Sequence, residues 1–268
     1  MPEWESVLKD AGERAQEVSD GLRGKSRGNE AQGKGAGGDT TMRFDLETEQ
    51  AIVDVVRQVP DTRVIAEEVG VVGKPSSRWT VIIDPIDGSS NFARGIPFYC
   101  TSIGVAEGKS IEDIRYGLVR NLPNGDVYYS EKDRGAYLNG RKVRTGAVKE
   151  LKEACIGVDL AKGPMKVIAG LVPLIGSVRK QIHLGANALE LCYVADAKID
   201  GFVDMRMTLR IVDFAAGYLI AKEAGALFTD ERGGGVDPRI SLDERFNVVV
   251  ASNAALQKKM LDVIRHRA

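Results

Sequence analysis

The apolar segment at residues 79–84 (Trp-Thr-Val-Ile-Ile-Asp) constrains the fold of this 268-residue chain more than any other feature of the sequence. An apolar run that stops abruptly at an Asp-Pro pair indicates a buried β-strand ending in a carboxylate. Pro85 prevents regular continuation of the strand because its nitrogen carries no hydrogen. A second carboxylate, Asp87, follows three residues after Asp84. Such a turn can direct both aspartate side chains and the Ile86 carbonyl oxygen at one point.

The residues of this turn indicate phosphate chemistry. Two carboxylates held this close need a cation between them, or one of them must take up a proton. Oxygen ligands favour a hard ion, and therefore magnesium before zinc. Gly88, Ser89 and Ser90 follow with backbone N–H groups and two hydroxyls, and a helix that starts there would offer an anion site. A capped turn with two solvated aspartates is the alternative that this motif alone leaves open.

Further carboxylates occur where they could join this site. Glu67 and Glu68 end a short predicted strand at residues 63–66. Asp213 begins an apolar helical segment, where it would also fit an ordinary helix N-cap. The metal-site interpretation of Asp213 therefore depends on the other carboxylates.

In the first half of the chain, the patterning predicts helices that cover an antiparallel meander. Helical spacing of apolar residues predicts helices over residues 4–22 and 45–59. Alternating segments follow at residues 98–107 and 111–131, with Asn-Gly hairpin signals at residues 124–125 and 139–140. The segment between the two helices, residues 24–41, is rich in glycine and small polar residues. We expect it to form a mobile loop that acts as a lid over the site.

After about residue 150, short strands alternate with helices, which predicts α/β layering. The predicted strands lie near residues 155–160, 180–183, 199–204 and 247–251, and the helices near residues 165–174, 186–195 and 212–224. A closing helix follows, with Ser252 or Asn253 as its N-cap. We divide the chain into an N-terminal α+β half over residues 1–150, with most metal ligands, and a C-terminal α/β half over residues 151–268, with Asp213 and the substrate loop. The two halves are expected to pack as one unit.

Composition argues against several classes of partner. The formal net charge is -1, which does not point to nucleic acid or to a membrane surface. The three cysteines, Cys100, Cys155 and Cys192, are far apart in small or apolar surroundings, so we expect buried thiols in a reducing compartment. The N-terminus lacks the pattern of a signal peptide, and no apolar stretch reaches the roughly 20 residues of a membrane span. We expect a cytoplasmic protein.

Three segments together resemble the inositol monophosphatase family. They are Glu67-Glu68, the stretch WTVIIDPIDGSSNFARGIPF from Trp79, and the stretch VDFAAGYLIAKEAGALFTD from Val212. Within the family the chain is most similar to the archaeal branch that also hydrolyses fructose 1,6-bisphosphate. Gly-Ala-Asn-Ala-Leu-Glu at residues 185–190 matches a small-residue loop of the family. The resemblance implies an alternating α-β-α-β-α sandwich and, by analogy, a homodimer.

The resemblance also implies the metal ligands. Glu67, Asp84 and the Ile86 carbonyl would hold a first magnesium ion, and Asp84, Asp87 and Asp213 a second. A weaker third ion would lie by Glu67, and manganese could substitute for magnesium. Phosphate monoesters hydrolyse very slowly without a catalyst, and metal ions supply the charge neutralisation and alignment that this reaction needs.

The resemblance assigns Ser89, together with Asp45 and Glu67, to the orientation and deprotonation of the attacking water. Asp45 would also help to hold the third ion through a water molecule. The residues implied in substrate binding are Asp87, Gly88, Ser89, Ser90, Gly185, Ala186, Asn187 and Arg206. We expect no nucleophilic cysteine or histidine, and neither His183 nor His266 in direct catalysis.

Three positions depart from the family pattern. Val212 replaces a common tryptophan, and Ala186-Asn187 differs from the usual small-residue pair. Arg206 lies seven residues before Asp213, where animal inositol phosphatases carry a carboxylate that contacts ring hydroxyls. An arginine there would favour a further anion, such as a second phosphate. A surface arginine in a strand is the alternative.

The sequence therefore predicts a magnesium-dependent phosphomonoester hydrolase that acts on myo-inositol 1-phosphate, fructose 1,6-bisphosphate or both. A metal-activated water would attack the phosphate directly. Two alternatives stay open. A 3′-phosphoadenosine 5′-phosphate phosphatase would need a nucleotide pocket, and the sequence shows no clear aromatic clamp for adenine. A non-catalytic, metal-dependent regulatory module would not need the intact carboxylate set.

Overall fold

A computed structural model of the chain describes residues 2–38 and 40–265. Within them, the helices form where apolar residues recur with helical spacing. The α-helices are α1 (Trp4–Leu22), α2 (Arg43–Val56), α3 (Ser89–Arg94), α4 (Met165–Ser177), α5 (Asn187–Ala195), α6 (Ala215–Ala224) and α7 (Ala254–Arg265). Single-turn 3-10 helices occur at Ser26–Asn29, Ile111–Asp113 and Leu151–Glu153.

The strands of the first half of the chain form a two-stranded hairpin and an eight-stranded sheet. The hairpin strands are β1 (Ala31–Lys34) and β2 (Thr40–Met42). The sheet strands are β3 (Thr62–Ala66), β4 (Gly70–Val72), β5 (Trp79–Asp87), β6 (Cys100–Ala106), β7 (Ile114–Asn121), β8 (Val127–Glu131), β9 (Gly135–Leu138) and β10 (Arg141–Val143). Their order is β10-β9-β8-β7-β6-β5-β3-β4. The predicted meander is confirmed from β5 to β10, whereas β3 and β5 run parallel.

The second half of the chain forms a five-stranded mixed sheet. Its strands are β11 (Cys155–Asp159), β12 (Lys180–Ile182), β13 (Gly201–Leu209), β14 (Leu227–Thr229) and β15 (Phe246–Ala251), in the order β12-β11-β13-β15-β14. β11 pairs in parallel with β12 and β13, and β15 runs antiparallel to β13 and β14. The predicted α/β alternation is therefore confirmed in this half.

Helices separate and cover the two sheets. α1 and α2 bury Trp4, Leu8 and Ile52 against the outer face of the eight-stranded sheet. α5 and α6, which are buried over most of their lengths, lie between the two sheets. α4 and α7 cover the outer face of the five-stranded sheet with Leu171 and Met260. The order of layers is α-β-α-β-α, which confirms the expected sandwich.

Two local predictions differ from the structure, and a third, which named Ser252 or Asn253 as the cap of the last helix, is confirmed for Asn253. The expected irregular loop at residues 24–41 contains a 3-10 turn and the antiparallel β1–β2 hairpin, because backbone N–H and C=O groups can pair although all four residues of β1 are exposed. α6 begins at Ala215, not at residue 212, so Asp213 precedes the helix and its N-cap residue Phe214. At α7, Asn253 is the cap, since its Oδ1 accepts the N–H of Leu256 at 3.1 Å.

In the part of the chain that the structure describes, we find no helix with the length and apolar character required to cross a bilayer. The division of the chain near residue 150 stays a prediction. One hydrophobic core, which includes Ile82 of β5, Leu189 of α5 and Val250 of β15, draws on both halves.

The close packing of α5 against α6 in the central layer can be tested by substitution of a glycine at their contact. A Cβ atom at Gly217 of α6 would lie 3.0 Å from the backbone oxygen of Ala188 and 3.0 Å from Cβ of Leu191. We expect Gly217→Ala to lower the free energy of unfolding by about 1–3 kcal/mol through overpacking. Gly170→Ala on α4, where a Cβ would meet no atom within 4 Å, should instead raise it by about 0.5–1 kcal/mol through helix propensity. Urea unfolding measures both, and a stabilising Gly217→Ala would contradict the close packing.

Candidate metal and phosphate site

The parallel pairing of β3 and β5 creates the site. Ala66 pairs with Ile83, so the next residue of each strand, Glu67 and Asp84, emerges at the same edge of the sheet. Asp84 is almost fully buried, and its Oδ1 has no hydrogen-bond partner. An unpartnered buried carboxylate oxygen is costly unless a ligand satisfies it.

Asp213 completes a cluster of three carboxylates from both halves of the chain. Glu67, Asp84 and Asp213 each offer one oxygen, and these oxygens lie within 4.8 Å of one another. Asp87 borders this group with its side chain turned partly to α5, where its Oδ2 accepts the N–H of Ala188 at 2.6 Å. The structure thus brings together three of the four carboxylates predicted as metal ligands and places Asp87 beside them, and the assignment of all four to individual ions stays a prediction.

The protonation equilibria of these carboxylates reflect burial and mutual repulsion. The pKa of Glu67 is raised to about 7. Burial is the largest cause, the neighbouring Arg210 opposes the rise, and the charges of Asp213 and Glu68 contribute to it. Burial, followed by the charges of nearby carboxylates, raises the pKa of Asp84 and of Asp87 well above the usual aspartate range. A cation among them would allow all to be ionised together. The oxygen-only donor set with an unpartnered oxygen fits a hard divalent ion.

Ser89 and Asp45 form a hydrogen-bonded pair beside the β5 turn. The hydroxyl of Ser89 lies 3.0 Å from Oδ1 of Asp45 and 2.8 Å from the carbonyl oxygen of Ile86, and it can donate to either. Ser89 begins α3 directly after Gly88, whose φ of 93° favours glycine. Asp45 lies in the first turn of α2 and is buried, which raises the pKa of its carboxyl, as do the charges of Glu67 and Glu68. These predicted catalytic residues therefore adjoin each other.

The predicted substrate loop lies next to Asp87. Ala186 and Asn187 lead into α5, and Asn187 Oδ1 is buried without a hydrogen-bond partner. Asn91 of α3 holds the loop from the other side, because its Nδ2 donates to the carbonyl oxygens of Leu184 at 2.7 Å and Phe98 at 2.8 Å. Asn91 was missed by the sequence analysis, although it lies in the same motif as Ser89.

Arg206 lies on β13, as predicted, but the surface alternative is wrong, because only 10% of its side chain is exposed. Its Nε and Nη2 donate to Asp204 at 2.9 and 2.7 Å, and its Nη1 donates to the carbonyl oxygen of Ala161 at 2.7 Å. Nη2 also lies 2.6 Å from Asp159. Asp159 pairs directly with Asp204 across β11 and β13, so Arg206 neutralises two adjacent carboxylates. A contact between Arg206 and substrate stays a prediction.

Arg210 was not predicted from the sequence, and it contacts two of the candidate metal ligands. Its Nη1 lies 2.6 Å from Glu67 Oε1, and its Nη2 donates to Asp213 Oδ1 at 2.7 Å. Glu49 was also missed. Its buried carboxylate accepts the N–H groups of Glu68 and Val69 at 2.8 and 2.7 Å and so fixes the turn after β3. Nothing in the local sequence around either residue indicates these long-range partners.

The β1–β2 hairpin covers the turn that carries Glu67. The N–H groups of Gly37 and Ala36 donate to the carbonyl oxygens of Glu67 at 2.7 Å and Glu68 at 3.0 Å. Thr41 Oγ1 donates to the Glu68 carboxylate. This position fits the expected lid, whose mobility stays a prediction.

Of the two histidines, His183 is partly exposed, and its Nδ1 lies 3.7 Å from Asp159 Oδ1. This distance exceeds that of a hydrogen bond. His266 lies outside the described residues. The three cysteines are free thiols. Cys100 and Cys192 are buried, as predicted, whereas Cys155 at the start of β11 is only partly buried.

A buried carboxyl beside the site, Glu190 of α5, generates a pH prediction. Burial raises its pKa to about 8, with further contributions from Asp159 and Asp87. The folded protein then binds a proton that the unfolded chain releases above its ordinary pKa near 4.5. This contribution to stability is complete below that value and is lost as pH rises toward 8.

We expect Glu190→Gln to remove this dependence, so the variant gains stability relative to the parent as pH rises from 5 to 8. The gain is at most about 1.4 kcal/mol per pH unit, the limit for one proton. Urea unfolding in the presence of a chelator measures it, with the exposed Glu153→Gln as control. Parallel curves of stability against pH for Glu190→Gln and the parent would contradict the prediction.

Comparisons with known proteins agree with this geometry. The model of the inositol monophosphatase family matches residues 2–267. A fructose-1,6-bisphosphatase/inositol-1-monophosphatase of Methanocaldococcus jannaschii is 38% identical over 232 residues, which cover 87% of this chain and 86% of that protein. A bifunctional NADP phosphatase/NAD kinase of Methanococcus maripaludis is 31% identical, over 92% of this chain and 46% of that protein.

Among solved structures, a crystal structure described as an inositol monophosphatase-fructose 1,6 bisphosphatase superposes with a TM-score of 0.85 and 32% identity over 100% of both chains. Sequence and structure agree over nearly the whole length of the chain. The chain belongs to the inositol monophosphatase family, a family of phosphatases.

Proposed function

We propose that the chain is a magnesium-dependent phosphomonoester hydrolase that acts on myo-inositol 1-phosphate, fructose 1,6-bisphosphate or both. The convergence of Glu67, Asp84 and Asp213, with oxygens within 4.8 Å of one another, is the observation that carries this proposal. The relative described as a fructose-1,6-bisphosphatase/inositol-1-monophosphatase supports the choice of substrates.

In this proposal Glu67, Asp84 and the Ile86 carbonyl hold one magnesium ion, and Asp84, Asp87 and Asp213 hold a second, with a weaker third ion near Glu67. Bound magnesium neutralises the charge of the phosphate and lowers the pKa of water. The unpartnered Oδ1 of Asp84 supports its role as the shared ligand. Manganese is expected to substitute, since it also accepts oxygen ligands.

Ser89 and Asp45, together with Glu67, orient the attacking water and help to deprotonate it. The hydrogen bond of 3.0 Å between Ser89 and Asp45 supports this role. Ser89 can turn its hydroxyl hydrogen to the Ile86 carbonyl, which leaves Asp45 free to accept a proton. This pair explains why the reaction needs no nucleophilic cysteine or histidine.

The phosphate is held by the backbone of Gly88 and Ser89 with the hydroxyl of Ser90, at the start of α3. The first N–H groups of a helix have no acceptors within the helix and can bind anionic oxygens. Gly185, Ala186 and Asn187 then contact the polyol. Asp87 supports this arrangement because its contact with the Ala188 N–H couples the metal site to the substrate loop.

We further propose that the protein is cytoplasmic and forms homodimers, with a small phosphorylated polyol or sugar, not nucleic acid or a membrane, as its partner. The exposed apolar side chains of Met165 and Val172 on α4 support association between copies.

The metal site generates the main functional prediction. We expect phosphate release to require magnesium, and Asp84→Asn or Asp87→Asn to lower kcat at least about a hundredfold by removing an anionic ligand of the charge-stabilising ions. Stability without metal should not fall for Asp84→Asn, because an amide replaces a carboxylate whose ionisation burial already disfavours. Initial rates of phosphate release, with thermal unfolding in a chelator, measure both effects.

The matched control is Asp54→Asn, on the exposed face of α2, which should retain the parent rate. Calcium in place of magnesium should inhibit, since it accepts looser and longer coordination. Near-parental turnover of either site variant with magnesium would refute the site. A panel of inositol 1-phosphate, fructose 1,6-bisphosphate, 3′-phosphoadenosine 5′-phosphate and NADP separates the candidate activities. No release from any of these would favour a non-catalytic module.

The position of Arg206 generates a prediction about the distal part of the substrate. Its guanidinium donates two hydrogen bonds to Asp204 and one to the Ala161 carbonyl and forms an ion pair with Asp159, and we assign the second N–H of Nη1 to a substrate oxygen. We expect Arg206→Lys to raise KM about tenfold for fructose 1,6-bisphosphate, and much less for an aryl phosphate, because a lysine retains charge without the fork. Steady-state kinetics with both substrates measure the ratio, and an equal loss on both would assign Arg206 to the fold.

A further inference from the structure

Arg210 contacts two candidate metal ligands, yet neither the metal side nor the water side of the proposed mechanism uses it. It lies between the end of β13 and the start of α6, three residues before Asp213. Its backbone N–H and its Nε both donate to Asp213 Oδ2, at 3.1 and 3.0 Å, while Nη2 donates to Oδ1 at 2.7 Å. Such a fork holds both carboxylate oxygens of one candidate ligand.

The other end of the guanidinium reaches Glu67, from the eight-stranded sheet. Nη1 lies 2.6 Å from Glu67 Oε1, but it lacks hydrogen-bond geometry with any acceptor. The Glu67 contact is therefore a close pair of charges, whereas the Asp213 contact is a well-formed fork. Arg210 is attached firmly to Asp213 and less firmly to Glu67.

Arg210 carries a permanent positive charge, because a guanidinium is not deprotonated in proteins. A divalent ion among Glu67, Asp84 and Asp213 would therefore lie beside a permanent positive charge and would use oxygens that Arg210 contacts. Like charges at such distances repel strongly when they are shielded from water.

We propose that Arg210 is a positioning residue that competes with magnesium for Glu67 and Asp213. Its guanidinium neutralises these carboxylates when no ion is bound, and it moves away from Glu67 when an ion binds. The protein is therefore stable without metal, and its affinity for magnesium is lower than the affinity that the four carboxylates would have without Arg210. This inference rests on the proposed metal-dependent function.

The β1–β2 hairpin limits where the guanidinium can move. A Cβ atom at Gly37 would lie 2.6 Å from Nη1 of Arg210, and Gly37 is anchored to the Glu67 carbonyl by its own N–H. Glu67 thus binds both the tip of the hairpin and Arg210. Displacement of the guanidinium from Glu67 therefore changes the surface that the hairpin contacts. A side chain at position 37 would therefore require the Arg210 guanidinium to shift.

The test compares magnesium binding and unfolding in Arg210→Gln and in the parent, both freed of metal by a chelator. We expect Arg210→Gln to bind magnesium at least about tenfold more tightly by calorimetry, because a positive charge next to the ion is removed. The same variant should have a lower melting temperature without metal and a larger rise in melting temperature on addition of magnesium. Arg210→Lys keeps the charge and should lie between the two.

Arg206→Gln is the matched control, since it removes an equally buried arginine that pairs with two carboxylates outside the metal cluster. It should lower the melting temperature equally with and without magnesium. If Arg210→Gln unfolds in chelator, refolding by added magnesium reports the same affinity, and failure to refold would overturn the proposal. Unchanged or weaker magnesium binding by the variant would also overturn it. Absence of magnesium binding by the parent would instead refute the metal-dependent function.

Discussion

The repulsion among buried carboxylates at the end of β3 and β5 is the constraint on which the site depends. The register that pairs Ala66 with Ile83 places Glu67 beside Asp84 without regard to their charges. Burial and proximity then raise the pKa of both carboxyls. Hydrophobic packing of the flanking layers supplies the free energy that holds them there, so the fold maintains a strong affinity for positive charge at this edge.

The surrounding structure limits the freedom of these carboxylates through backbone contacts. Glu49 of α2 binds the N–H groups that follow Glu67, and Asp87 binds the N–H of Ala188 at the start of α5. Each contact joins the edge of the eight-stranded sheet to a different helical layer. Catalysis that depends on alignment benefits from this fixation, because metal-binding carboxylates that are already ordered lose little conformational entropy when the metal and substrate bind.

The strands and the metal carboxylates could be predicted because their signals are local. The apolar run before Asp84 and the proline after it determine one strand and one turn within a few residues. Arg210 could not be predicted, because its partner Glu67 is distant in sequence and belongs to the other sheet. The hairpin formed by β1 and β2 was missed for a related reason, since strands of sequence Ala-Gln-Gly-Lys and Thr-Thr-Met pair through their backbones and carry no apolar alternation.

Arg206 and Arg210 differ in whether their carboxylate partners lie on one sheet or on two, and this difference determines how freely each arginine can respond to an ion. Both are buried and both contact two carboxylates. The partners of Arg206 are neighbours on β11 and β13 of one sheet, so it strengthens a pairing that the backbone already fixes. Arg210 joins Asp213 to Glu67, which follow strands of two different sheets. A charge that bridges two sheets can respond to an ion between them, whereas a charge within one sheet has little freedom to do so.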